Sequence, residues 1–296
     1  MRVLILGSSG QDGHYLTEHC RERGDTVTGL SRTTHPRSCD VGIAAEVETA
    51  ITESAPDQIY LLAARSSTRE GLLVEHQRTI VDGCCHVLTA AERLCPKARV
   101  FVAGSALQLE NHGTPIDESA AFRAESSYAL ARIQAAWIAR HFRNRGLAVC
   151  LGYLFHHESP FRRVAHVAQQ VATTARRIAG GSRERMTLGA PHVVREWTFA
   201  GDTARAMVKA LEQDTEPELV IGSGQGHTIA QWAESCFAAF ALDWREHTDL
   251  LPDYVPEYEH LVSAPHRLMG LGWRPAVSFQ ELALAMTRGT PAPVLA

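Results

Sequence analysis

No C-x-x-C pair, no H-E-x-x-H and no apolar run near the roughly 20 residues of a membrane helix occur in this chain of 296 residues. The cysteines number seven, an odd count, and lie scattered from Cys20 to Cys236. That excludes a disulfide framework and predicts reduced, mostly buried thiols. Histidine is plentiful at fifteen and includes the pair His156-His157, yet none has the spacing of a ligand set. No metal site is expected. Charge of neither sign is in large excess: Lys plus Arg number 29 and Asp plus Glu 33, a formal net charge of −4. Such a chain lacks the basic footprint that nucleic acid or an anionic membrane demands. No leader segment precedes the first apolar run, so the expected location is the cytoplasm. What remains, 45% hydrophobic and 21% charged, is the composition of a globular protein with one large domain, or one domain plus a small lobe.

The strongest signal present is at the N-terminus. The apolar run 3–6 passes straight into Gly7-x-x-Gly10-x-x-Gly13. A buried strand, a glycine-rich turn and a helix form the usual opening of a dinucleotide-binding domain. The glycines allow a tight turn and close approach to a pyrophosphate at the helix N-terminus, with Gln11 and Asp12 between them as further cofactor candidates. Apolar runs at 26–30, 58–62, 100–103 and 148–153 predict four more strands. Helical patterns at 14–23, 44–54, 74–94 and 127–143 alternate with them. The alternation predicts an α/β fold, a Rossmann-like doubly wound parallel sheet, with a smaller C-terminal substrate-binding lobe. Residues 1–153 form the sheet domain and 191–222 return to it, with a strand at 218–221. Residues 154–190 and 223–296 form the lobe, with helices near 163–179, 203–213, 228–241 and 279–286.

Chemistry-bearing residues fall at the carboxyl ends of these strands. Tyr128 and Arg132 lie four apart in S-S-Y-A-L-A-R and project from one helix face. A cation beside a phenol lowers its pKa, and the phenolate can move a proton while hydride moves at the same carbon. The competing reading is a surface pair on an amphipathic helix. Ser105, in A-G-S-A after the preceding strand, weighs against that reading; it is placed to hydrogen-bond the reacting oxygen, or merely to cap a turn. Arg32, ending the second strand in G-L-S-R-T-T, suits the 2′-phosphate of NADP and favours it over NAD. Asp40 is a candidate for the adenine, and Leu62, Ala63 and Ala64 for the wall of the cofactor cleft. Arg195, in V-V-R-E-W, suits a diphosphate; on its own segment the better reading is a salt-bridged loop arginine.

Together these residues resemble the NAD(P)-dependent epimerase/dehydratase family, the extended short-chain dehydrogenase/reductases that modify nucleotide sugars, and within it the GDP-mannose 4,6-dehydratase branch. The likeness runs through G-S-S-G-Q-D-G-H-Y-L (7–16), Q-I-Y-L-L-A-A (58–64), V-D-G (81–83), S-S-Y-A-L-A (126–131), L-F-H-H-E-S-P (154–160), R-E-W (195–197) and L-G-W-R-P (271–275). It implies bound NADP, a nucleotide-diphospho-sugar substrate, hydride exchange at sugar C4, and an assembly expected to be a homodimer. It implies Tyr128 as the proton-transfer residue with Ser105 as its partner, Arg132 at the family's lysine position, Arg195 on the diphosphate, and His156 and Glu158 at the substrate pocket. The departures are specific. Leu107 stands where the family's dehydration step has a glutamate, Ser127 where a proline precedes the tyrosine, and Ile80 in place of an asparagine. A substrate arginine is missing near Pro256. The expectation is a ketoreductase or epimerase. The alternatives are a true 4,6-dehydratase with its acid supplied by Glu110, Asp117 or Glu118, and a catalytically weakened cofactor-binding partner protein.

Overall fold

The computed structural model describes residues 1–33, 37–68 and 71–289. Six parallel strands make the central sheet: β1 (Arg2–Leu6), β2 (Thr26–Leu30), β3 (Gln58–Leu61), β4 (Arg99–Ser105), β5 (Ala148–Leu154) and β6 (Glu218–Ile221). Their order is β2-β1-β3-β4-β5-β6. Val3, Leu4, Ile5 and Leu6 are each at most 1% exposed, as a strand covered on both faces requires. Val3 and Ile5 pack with α1 (Gln11–Glu22) and α7 (Ala200–Leu211). Leu4 and Leu6 pack with α2 (Ala44–Ser54), α4 (Gly83–Leu94) and α5 (Ser127–Asn144) on the other side. The chain steps from β1 outward to β2, then crosses back past β1 to β3. That reversal opens a crevice at the carboxyl ends of β1 and β3, where ligands bind in such sheets.

The return to the sheet starts later than predicted. Strand Val194–Glu196 belongs to a separate three-stranded sheet, between Gly226–Thr228 and His260–Leu261. Only from α7, which packs on α1, and β6, which pairs with β5, does the chain rejoin the main layer. The lobe gathers α6 (Val167–Ala179), α8 (Ile229–Ala238) and the helix Phe279–Arg288 around Trp197 and Trp232, stacked at 4.5 Å. No helix among the described residues is long and apolar enough to cross a membrane. The cysteines are all free, Cys85 and Cys95 half-buried and the others buried.

Two helices depart from their predicted spans for physical reasons. The pattern over 74–94 is not one helix: α3 (Leu73–His76) passes into a π-turn, Gln77–Asp82, before α4. Thr79, Ile80 and Val81 are all buried along this wider turn. α6 starts at Val167 rather than 163, because Arg162 is turned back onto Glu158 at 2.6 Å.

At the sheet's outer edge, Glu218 accepts two bonds from Arg140 at 2.8 Å, one from Arg143 at 3.0 Å and one from the Tyr153 hydroxyl at 2.6 Å. Burial works against the Glu218 charge, but these donors hold its carboxyl down at about 2. A carboxylate depressed on folding stabilises above its unfolded value near 4.5, and that contribution disappears as pH falls toward about 2. The expected result is that Glu218→Gln lowers stability at pH 7 by at most about 3 kcal/mol, less what solvent screening removes. The gap between the two proteins should narrow in acid, to roughly half by pH 3. Urea titrations of both, at pH 7 and at pH 3, check this.

Candidate active site

The glycine turn is built by backbone contact. Gly7 has φ +104°, and a Cβ there would lie 2.7 Å from Ala63 N, across the crevice between β1 and β3. A Cβ on Gly13 would meet Gly7 O and Ser8 Cα at 2.5 Å, so this glycine seats α1 against the turn. Gly10 differs: nothing lies closer than 3.5 Å to its Cβ direction. It is the N-cap of α1, and no side chain caps the helix there. Uncapped N–H groups facing open space are the donor set for a diphosphate. Half-buried Leu62, Ala63 and Ala64 form the opposite wall. Arg32 stands exposed after β2 and makes no ion pair among the described residues.

Three of the cofactor candidates have protein partners. Gln11 donates to His157 O at 3.0 Å and accepts from Ser159 Oγ at 2.8 Å. Asp12 pairs with His157 Nε2 at 2.9 Å. Burial opposes both charges of that pair, yet their attraction prevails, holding Asp12 below and His157 above their usual ranges. The side chains of Gln11 and Asp12 therefore clamp the turn to the lobe. Asp40 is likewise committed, accepting from Arg78 at 2.6 Å and from Gly42 N at 3.0 Å.

The candidate catalytic residues do meet. Tyr128 and Arg132 are buried on α5, and Arg132 Nε donates to Tyr128 Oη at 3.1 Å. Arg132 Nη1 also donates to Ala103 O in β4. Ser105, the last residue of β4, accepts from Leu107 N at 3.3 Å. Gln108, which the sequence did not single out, joins the two: its Oε1 accepts from Ser105 N at 2.9 Å and its Nε2 donates to Arg132 O at 3.2 Å. The geometry leaves the Tyr128 proton free for a ligand oxygen, because Arg132 uses only an acceptor lone pair. Leu107 packs partly buried against the core.

The predicted substrate residues split. Glu158 is closed off by Arg162 at 2.6 Å. His156 Nε2 bonds the Tyr258 hydroxyl at 2.9 Å, while its Nδ1 is buried without a partner. Burial, then Arg195, keeps the His156 imidazole neutral, well below its usual range. Arg195 lies over the rings of Trp197 at 5.9 Å and Tyr258 at 5.5 Å, and no carboxylate pairs with it among the described residues. Its neighbour Glu196 fixes the strand, accepting from Ser263 N and Oγ, Ser223 N and Gly224 N. Tyr258 carried no sequence signal of its own, and Glu196 entered only within the R-E-W likeness; each depends on a partner far along the chain. Glu110 faces His112, Asp117 is capped by Ser119, and Glu118 holds Val220 N and Arg267. No group of three or more His, Cys, Asp or Glu is placed for a metal among the described residues.

A six-stranded doubly wound sheet with a tyrosine–cation pair beside its crevice is the plan of an extended short-chain dehydrogenase/reductase. The family profile "GDP-mannose 4,6 dehydratase" matches residues 4–286, and the chain belongs to that family. GDP-mannose 4,6 dehydratase 1 of Arabidopsis thaliana is 28% identical over 322 residues, covering 96% of this chain and 88% of its own. The Homo sapiens enzyme of that name is 28% identical over 264 residues, covering 79% and 71%. Among solved structures, UDP-glucose 4-epimerase of Thermus thermophilus in complex with NAD superimposes with a TM-score of 0.85 at 23% identity, over 98% of both chains. RMD from Pseudomonas aeruginosa, complexed with NADPH, gives 0.85 at 19% identity, again over 98% of both. The protein is thus an enzyme of the NAD(P)-dependent nucleotide-sugar epimerase/dehydratase class.

Replacing Gln108 by Leu strands the buried Ser105 N–H and removes one of two bonds to the Arg132 carbonyl, which keeps its helical partner. The expected loss is about 1–3 kcal/mol of stability, the cost of one buried group left unpaired. Chemical denaturation of the variant measures it.

Proposed function

We propose that the protein is an NADP-dependent nucleotide-sugar oxidoreductase that exchanges hydride at sugar C4 without eliminating water, a ketoreductase or an epimerase. One observation carries this reading. Leu107, two residues after Ser105, cannot carry a proton, and the resemblance expects the dehydration glutamate at that position; Glu110, Asp117 and Glu118 each have protein partners. Weakened binding without catalysis is the less favoured reading, because Arg132 reaches Tyr128 Oη at 3.1 Å despite replacing lysine.

The residues present fit the cofactor. The open side of Gly10 and the uncapped start of α1 would take its diphosphate, the 62–64 wall its length, and Arg32 a 2′-phosphate. Bound there, the nicotinamide supplies or accepts the hydride. Tyr128 gives its proton to the C4 oxygen in reduction, or takes it in oxidation, and Arg132 stabilises the phenolate. Ser105 hydrogen-bonds the same oxygen. Arg195, without a carboxylate of its own, receives the substrate diphosphate beside the neutral His156. Carbon C5 keeps its proton. The same reading takes the protein as a cytoplasmic homodimer, with Leu130 and Trp137 exposed along α5 as apolar surface. Sedimentation at the mass of two chains would support it.

NADPH is expected to bind more tightly than NADH, and Arg32→Ala to weaken NADPH by about tenfold, the scale of one exposed charge-assisted contact. Calorimetry with both cofactors checks this; equal affinities refute the NADP assignment. The reaction itself is tested by incubating GDP-, UDP-, dTDP- and CDP-sugars and their 4-keto forms with cofactor, followed by mass spectrometry. Turnover without loss of water is expected, reduced on the order of 10²-fold or more in Tyr128→Phe. Rapid dehydration of GDP-mannose would restore the dehydratase reading.

A further inference from the structure

Beside Tyr128 lies a residue pair that the chemistry above does not use. Ser126 is the N-cap of α5, its Oγ accepting from Ala129 N at 3.1 Å, which makes Ser127 the first helical residue. Fully buried His76, the last residue of α3, places Nδ1 3.0 Å from Ser127 Oγ, across 51 positions of chain. Its ring meets the Tyr128 ring edge-on, centroids 5.6 Å apart. Its Nε2 is buried and has no partner. A buried imidazole is costly to keep half-satisfied, so its retained contacts mark a constrained position.

The family resemblance places proline at position 127. Proline there sets φ near −65° and gives up only an N–H that has no intrahelical partner. Serine lacks that ring constraint on φ, and the catalytic phenol sits on this first turn. We propose that His76 is a positioning residue for Tyr128: its bond to Ser127 and its edge contact with the ring pin the first turn of α5, in place of the proline. The backbone is consistent with such an exchange. Ser126 has φ −142° and ψ 162°, the extended region that a residue before proline requires. The proposal rests on Tyr128 being the proton-transfer residue, but the tether can be tested without turnover.

The test uses ring-labelled tyrosine NMR on the whole protein, with Tyr128→Phe to assign the signal. A sharp Tyr128 resonance is expected in the native protein and a broadened one in His76→Leu and in Ser127→Ala. Adding Ser127→Pro to His76→Leu should restore the line width. In steady-state assays His76→Leu should lower kcat on the order of tenfold, the cost of a misplaced group, with KM for NADPH unchanged. Ser127→Pro should recover most of that loss. A Tyr128 signal unaltered in both single variants, or a His76→Leu defect that Ser127→Pro leaves in place, overturns the proposal. Should His76→Leu fail to fold, Ser127→Ala, which removes only the hydroxyl, and Ser127→Pro in its place decide the matter. If no nucleotide sugar turns over, the catalytic reading of Tyr128 falls, while the line widths still judge the tether.

Discussion

A guanidinium buried with no carboxylate beside it sets the geometry of this site. Arg132 is 7% exposed, and among the described residues no acidic side chain pairs with it. Such a charge is tolerable only if its N–H groups find oxygen acceptors in the interior. It finds two, a carbonyl at the end of β4 and the Tyr128 hydroxyl one helical turn back. These contacts dock α5 against β4 at one depth and one rotation. Gln108 then links the backbone of Arg132 to Ser105, so strand end, turn and helix move as one piece. The candidate catalytic groups are therefore held by the same bonds that neutralise the buried charge.

A second set of bonds joins this unit to the lobe. Gln11 and Asp12 leave the start of α1 and grip 157–159, the segment that follows His156. The turn that would hold a diphosphate and the loop beside Arg195 are thus tied through a buried charged pair.

The departures from the family pattern also cohere physically. Lys97 and Lys209 are the chain's lysines, so arginine at position 132 agrees with the basic residue used nearly everywhere else. Arginine keeps the charge and, being longer, spans from the phenol to the strand carbonyl; what it gives up is the ability to lose a proton. Leucine at 107 removes one acid from the site and adds apolar packing under the same turn. The site keeps a hydroxyl–cation pair and a strand-end serine together, with no ionisable group at position 107.

Much of this was legible in the chain. The glycine turn at 7–13, the strand series and the Tyr128–Arg132 spacing follow from local periodicity and backbone sterics, which neighbouring residues dictate among themselves. So do the crevice at the ends of β1 and β3 and the exposed Arg32, since strand order follows from alternating elements and right-handed crossovers. Contacts between distant residues were not legible. Nothing local told Asp12 to face His157, Asp40 to face Arg78 or Glu158 to face Arg162, and each of these candidates is held in an ion pair. The π-turn at 77–82 and the late return at α7 have the same origin, burial that a distant surface imposes. The sequence by itself determined the sheet, the turn and which chemical groups stand at its edge. Tertiary packing alone decided which of those groups remain free, because a buried charge takes whichever partner the fold brings within reach.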